Sequence, residues 1–85
     1  MKRYFVETNG YNMVVFVDDN NDVFYLHEKA FDEDLTLEVA RNADYSNVEG
    51  FETTKEMAAN YYTGENYIKN GWDELINNCE DYIEF

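Results

Sequence analysis

Apolar and polar positions alternate at short range over the first third of the chain, then give way to longer spacings. Arg3 to Thr8 is rich in β-forming residues, Asn9-Gly10 interrupts it, and Tyr11 to Val17 resumes the pattern. Asn-Gly between two such runs is a strong hairpin signal, because both residues tolerate positive φ. Asp18-Asp19-Asn20-Asn21 makes a second polar turn, and a third strand runs from Asp22 or Val23 to Glu28. The expectation is a three-stranded antiparallel meander.

Pairing across these turns assigns the faces. With Asn9-Gly10 as the first loop, Val6 opposes Met13 and Tyr4 opposes Val15. With residues 18–21 as the second, Val15 opposes Phe24 and Met13 opposes Leu26. One face then carries Tyr4, Val6, Met13, Val15, Phe24 and Leu26. The other carries Phe5, Val14, Phe16, Val23, Tyr25 and His27. Both are apolar, whereas a sheet with one solvated face alternates cleanly. Helices are expected on one face, with long side chains or the chain's tail on the other. The alternative packs the second face, including Val14 and Phe16, against another chain such as a twin subunit.

The remainder reads as mainly helical. Asp32-Glu33-Asp34 suits a helix N-terminus, with a helix running to about Ala43; the alternation of Leu35, Leu37 and Val39 also allows a fourth strand. Residues 44–52 read as a loop. Thr53-x-x-Glu56 is a capping box that opens a second helix ending at Gly64. A polar connector follows, with room for a short strand at Tyr67-Ile68. Trp72, Leu75, Ile76, Cys79, Tyr82 and Ile83 then fall at i, i+3, i+4, i+7, i+10 and i+11, the stripe of an amphipathic helix capped by Asn70 or Gly71. The predicted fold is α+β: one domain, with the three-stranded meander and two or three helices packed on one face.

Charge changes this picture most. Nineteen acidic residues against six basic ones give a net charge of −13 over 85 residues, beyond the magnitude of roughly 2–8 common for a small soluble domain. Like charges destabilise a compact body, so a positively charged partner is the simplest reason to keep them. Residues 1–29 hold five acids and three bases, and the remaining 56 hold fourteen and three. The excess therefore belongs to the second part of the chain. On a last helix, Asp73, Asn77, Glu80 and Glu84 would lie within about 60° of one another, flanked by Glu74 and Asp81. Asp32, Glu33 and Asp34 form a second cluster with Glu38; Glu49, Glu52 and Glu56 form a third. A carboxylate array of this kind suits a basic groove built for phosphates. The expected main contact stripe is Asp73, Glu74, Glu80, Asp81 and Glu84, with Asp32, Glu33 and Asp34 next.

Other chemistry finds little support. At 18% aromatic, the chain is too rich in rings for a disordered acidic segment. Cys79 is the only cysteine, which excludes an internal disulfide and fits a reducing, cytoplasmic setting. No apolar run approaches the roughly 18–20 residues of a membrane span, and both an anionic membrane and nucleic acid would repel the chain. Asp18-x-Asn20-x-Asp22 resembles the opening of a calcium loop, but Val23 stands at the glycine position and Lys29 at the bidentate glutamate position. A β-turn is the expected structure there, and no metal or cofactor is expected. His27, alone, reads as structural. Ser46, the only serine, has no base in a recognisable motif. No phosphate-binding glycine loop is present. The chain is read as non-enzymatic. Eight tyrosines exceed what a small core needs, and exposed tyrosine among carboxylates suits an arginine-rich partner.

In size, acidity and lack of catalytic motifs the chain resembles the small inhibitors of phages and mobile elements, including DNA-mimicking anti-CRISPR and anti-restriction proteins. The resemblance lies in overall character and carries no motif. It implies an inhibitor that occupies the basic, nucleic-acid-binding surface of a target protein in the host cytoplasm. The competing expectation is an acidic adaptor or self-associating domain that uses its second sheet face as a homodimer interface.

Overall fold

The computed structural model describes residues 1–61, 66–78 and 81–85. Strands β1 (Lys2–Glu7), β2 (Asn12–Val17) and β3 (Val23–His27) lead into a 3-10 turn at Glu28–Ala30. Helices α1 (Leu37–Asn42), α2 (Ser46–Glu49) and α3 (Thr54–Tyr61) follow. Strand β4 (Tyr67–Ile68), helix α4 (Trp72–Asn77) and strand β5 (Asp81–Glu84) complete the chain. All five strands join one antiparallel sheet in the order β4-β3-β2-β1-β5. The α+β class and the central meander agree with the sequence. The sheet has five strands rather than three, and helices lie on both of its faces rather than one.

The first hairpin has the expected register, with Val6 opposite Met13 and Tyr4 opposite Val15. Its tip turns at Gly10, whose φ of 128° suits glycine alone. The second hairpin is shifted by one residue. Val15 pairs with Tyr25 and Met13 with His27, not with Phe24 and Leu26. The cause is the turn. Asp18 and Asp22 close the ladder (N to O, 3.1 Å), and Asn21 N donates back to Asp18 O at 3.1 Å. Three residues, 19–21, thus form the loop, and Asn21 takes the left-handed position at φ 62°. A one-residue shift sends every β3 side chain to the opposite face.

The first face therefore carries Phe5, Val14, Phe16, Phe24 and Leu26 under Leu35, Ala40, Tyr45, Val48, Met57 and Ala58 from the helical segment. The second carries Val6, Met13, Val15, Val17 and Val23, and Ile68, Trp72 and Leu75 from β4 and α4 close over it. Both faces are sealed by the chain itself, so the apolar face of Val14 and Phe16, expected to meet a twin, is not open. Val14 and Phe16 are fully buried. Each large side chain buried in this way contributes about 1.5–3 kcal/mol.

Two predicted helices change. The segment from Asp32 does not enter a helix until Leu37, because Thr36 is the cap: its Oγ1 accepts from Val39 N at 3.2 Å. Leu35, just before the cap, is buried. The helix expected from Trp72 to Ile83 stops at Asn77, and residues 81–84 pair with β1 instead. Without β5, β1 would be an open edge of the sheet; β5 pairs its outward backbone groups. Thr53 caps α3 as expected, with Oγ1 accepting from Glu56 N at 3.1 Å while Glu56 Oε2 accepts from Glu52 N. The expected end of that helix at Gly64 lies outside the described residues, as does Cys79. Gly71 caps α4 where a side chain would collide: a Cβ there would lie 2.6 Å from Ile68 Cβ.

Candidate protein-docking surface

The predicted acidic stripe divides between two elements. Asp73 and Glu74 are exposed in the first turn of α4, where acids suit the helix N-terminus. Asp81 and Glu84 are exposed on β5. Three residues apart on a strand, they point to opposite faces, so the helical alignment expected of them does not exist. Glu80 lies outside the described residues. Asp32, Glu33 and Asp34 are all exposed in the loop before α1 and remain together as a cluster.

Fourteen of the seventeen described acidic residues are exposed, and Arg3–Glu49 is the single ion pair among the described residues. Arg3 is further held over the rings of Tyr45 and Phe85, 5.3 and 5.2 Å from their centroids. The one cation so engaged is thereby committed to the fold. Apart from Glu49, the acidic residues of the helical side have no ion pair among the described residues.

Two shallow grooves of about 310 and 290 Å³ adjoin the Asp32 cluster. They share Phe31, Asp32 and Ala43, and their rims carry Glu33 and Asp44. Asp44 accepts from Ser46 N at 2.9 Å, and the Ser46 backbone and hydroxyl hold its carboxyl below the usual aspartate range. The geometry offers an apolar floor with an acidic edge, a shape suited to the stem and head of a lysine or arginine side chain.

The second acidic end carries exposed aromatic surface. Tyr4 stacks on Trp72 with centroids 4.3 Å apart, and Tyr82 stands edge-on to both, 5.5 Å from Trp72 and 6.0 Å from Tyr4. Tyr82 remains 44% exposed, the most exposed aromatic residue described. This trio was invisible as a group in the sequence. Its members lie on β1, α4 and β5: the pairing of β5 with β1 brings Tyr82 beside Tyr4, and the packing of α4 on the second face sets Trp72 against both.

The calcium-like motif is a structural clamp. Asp18 Oδ1 accepts from the backbone N of Asn20 and Asp22, at 2.8 and 3.0 Å, and Oδ2 accepts from the buried Thr54 hydroxyl at 3.2 Å. Asp22 Oδ1 accepts from Asn70 N at 2.6 Å, and Oδ2 from the Tyr67 hydroxyl at 3.0 Å. All four carboxylate oxygens thus serve the fold. Burial, and then the Asp22 hydrogen bond and charge, push the Tyr67 phenol up. No group of three His, Cys, Asp or Glu residues is placed to hold a metal ion among the described residues. His27 stacks on Tyr11 at 4.5 Å and accepts from Lys29 N through Nδ1, a structural role. No helix among the described residues is long and apolar enough to cross a membrane.

Tyr45 is buried under the helical segment. Its hydroxyl donates to Ala40 O at 2.7 Å. Desolvation pushes its pKa to about 12, with Arg3 opposing and Glu49 adding to the shift. It fastens α1 to the core. No protein-family model, curated protein or solved structure matches the chain.

Proposed function

We propose that this is a non-enzymatic binding protein that engages a positively charged protein surface and inhibits its partner by occupying a site made for nucleic acid. The observation that carries this reading is the exposed, uncompensated acidity: fourteen exposed carboxylates with one internal ion pair among the described residues. Ordinary surfaces mix signs. Here the charge cost to the fold is retained, and it is recovered when a basic partner neutralises it. The contact residues are Asp32, Glu33 and Asp34 at one end and Asp73, Glu74, Asp81 and Glu84 at the other, with Tyr82 and Trp72 available for arginine stacking.

The test is binding to an immobilised basic nucleic-acid-binding protein across a salt series, with short duplex DNA as competitor. Affinity should fall steeply between about 50 and 200 mM salt, and the duplex should displace the protein. Binding that persists unchanged in molar salt, or that duplex DNA leaves untouched, refutes the reading.

A further inference from the structure

We infer that β5 is a docking edge that takes an extended, arginine-containing segment of the partner as a sixth strand; this rests on the proposed basic partner and specifies how part of it is held. The ladder sets which groups are free. Phe85 N donates to Arg3 O at 3.0 Å, so Arg3 and Phe85 are a hydrogen-bonded pair. Antiparallel alternation makes Phe5–Ile83 and Glu7–Asp81 the same kind of pair and leaves Tyr4–Glu84 and Val6–Tyr82 as the other kind. The N–H and C=O groups of Tyr82 and Glu84 therefore point away from β1. Beyond β5 no further strand follows among the described residues. All four β5 residues are exposed, and Tyr82 and Ile83 are apolar surface left at 44% and 40%. Such an edge is a template for strand addition.

The side chains specify the occupant. A strand laid antiparallel on β5 places alternate residues on the Tyr82 face, opposite Tyr82 and Glu84, and the residue between them on the other face, opposite Ile83. Glu84 asks for a base. The open ring of Tyr82, backed by Trp72 and Tyr4, suits an arginine guanidinium. Ile83 asks for an apolar residue. The matching segment therefore reads basic, apolar, basic. A second copy fits poorly: it brings another −13 to the seam and lines four carboxylates, Asp81 and Glu84 from each chain, along a four-residue edge.

The test uses synthetic peptides of about seven residues, enough to cover the edge. One alternates arginine and valine. The second has the same composition with the arginines in one block. The third replaces arginine with threonine. Saturation with the alternating peptide should slow hydrogen exchange at the Tyr82 and Glu84 amides by about tenfold or more. Glu84→Pro removes an outward N–H without touching the β1 ladder, and unchanged exchange at the Ile83 amide will verify that. It should weaken the alternating peptide about tenfold beyond the loss in Glu84→Gln, which removes only the charge. Equal binding by Glu84→Pro and Glu84→Gln, or binding without protection at the two amides, overturns the docking edge while leaving the basic-partner reading intact. Equally tight binding of the threonine peptide overturns the choice of a basic occupant. If neither arginine peptide binds at low salt, the basic-partner reading fails and this inference with it. A dimer in sedimentation, with the same two amides protected in the absence of peptide, would assign the edge to a second copy instead.

Discussion

Asp22→Ala tests whether the calcium-like turn is a clamp. The carboxylate holds two donors from the far side of the chain, Asn70 N at 2.6 Å and the Tyr67 hydroxyl at 3.0 Å. These bonds fix β4 and the approach to α4, and α4 covers the second sheet face. A hydrogen bond to a charged group is worth about 1.5–3 kcal/mol. Asp22 is only partly buried, so the lower end applies to each, and alanine should cost about 3 kcal/mol. In a domain of this size that lowers Tm by about 12–24 °C. The substitution Asp22→Asn keeps an acceptor for Asn70 N and can still meet the phenol, so it should lose less than about 1.5 kcal/mol. Urea denaturation followed by far-ultraviolet circular dichroism gives both values. Millimolar calcium should leave every midpoint unchanged. An alanine variant within about 0.5 kcal/mol of the parent would refute the clamp. So would calcium stabilisation that Asp22→Asn abolishes, because the carboxylate would then be acting as a cation ligand.

Gly71→Ala should destabilise by about 1–3 kcal/mol through the collision with Ile68, measured by thermal unfolding; a neutral result would mean that β4 can shift freely. Tyr45→Phe leaves the Ala40 carbonyl without its donor and should cost about 1–2 kcal/mol in the same assay. The folded Tyr45 pKa of about 12 exceeds the unfolded value of about 10, so its contribution is complete below pH 10 and is lost as pH rises from 10 to 12. Alkaline unfolding should be less steep over that window in Tyr45→Phe than in the parent. Neutralising Asp32, Glu33 and Asp34 together, to Asn, Gln and Asn, should leave stability equal or slightly higher while weakening salt-sensitive partner binding by about tenfold or more. Retained affinity would remove this cluster from the contact surface.

Local signals in the sequence were sufficient wherever a feature is made by neighbours in the chain. Asn9-Gly10 sets the first hairpin and its register, Thr53 and Glu56 open α3 through bonds within one turn, and the two-residue strand at Tyr67-Ile68 lies where it was expected. The acid cluster at residues 32–34 is exposed, as a run of charges must be. The second hairpin failed by one residue because a four-residue polar turn and a three-residue loop with Asn21 at positive φ have the same composition. That single step decided which face each β3 side chain joins.

The end of the chain shows most clearly what only tertiary structure could decide. Trp72 to Ile83 fits a helical stripe, yet its last residues, Asp81-Tyr82-Ile83-Glu84, fit a strand as well, because four residues cannot distinguish the two periods. The choice is made by the edge that β1 offers, whose outward backbone groups pair with β5. Sequence alone determined the α+β class, the meander and the amount of negative charge. Pairing between residues more than seventy positions apart determined where Asp81 and Glu84 are displayed, and with the packing of α4 it assembled Tyr4, Trp72 and Tyr82 near the free edge. Hydrogen-bond satisfaction across a sheet is a non-local condition, and no periodicity within a segment encodes it.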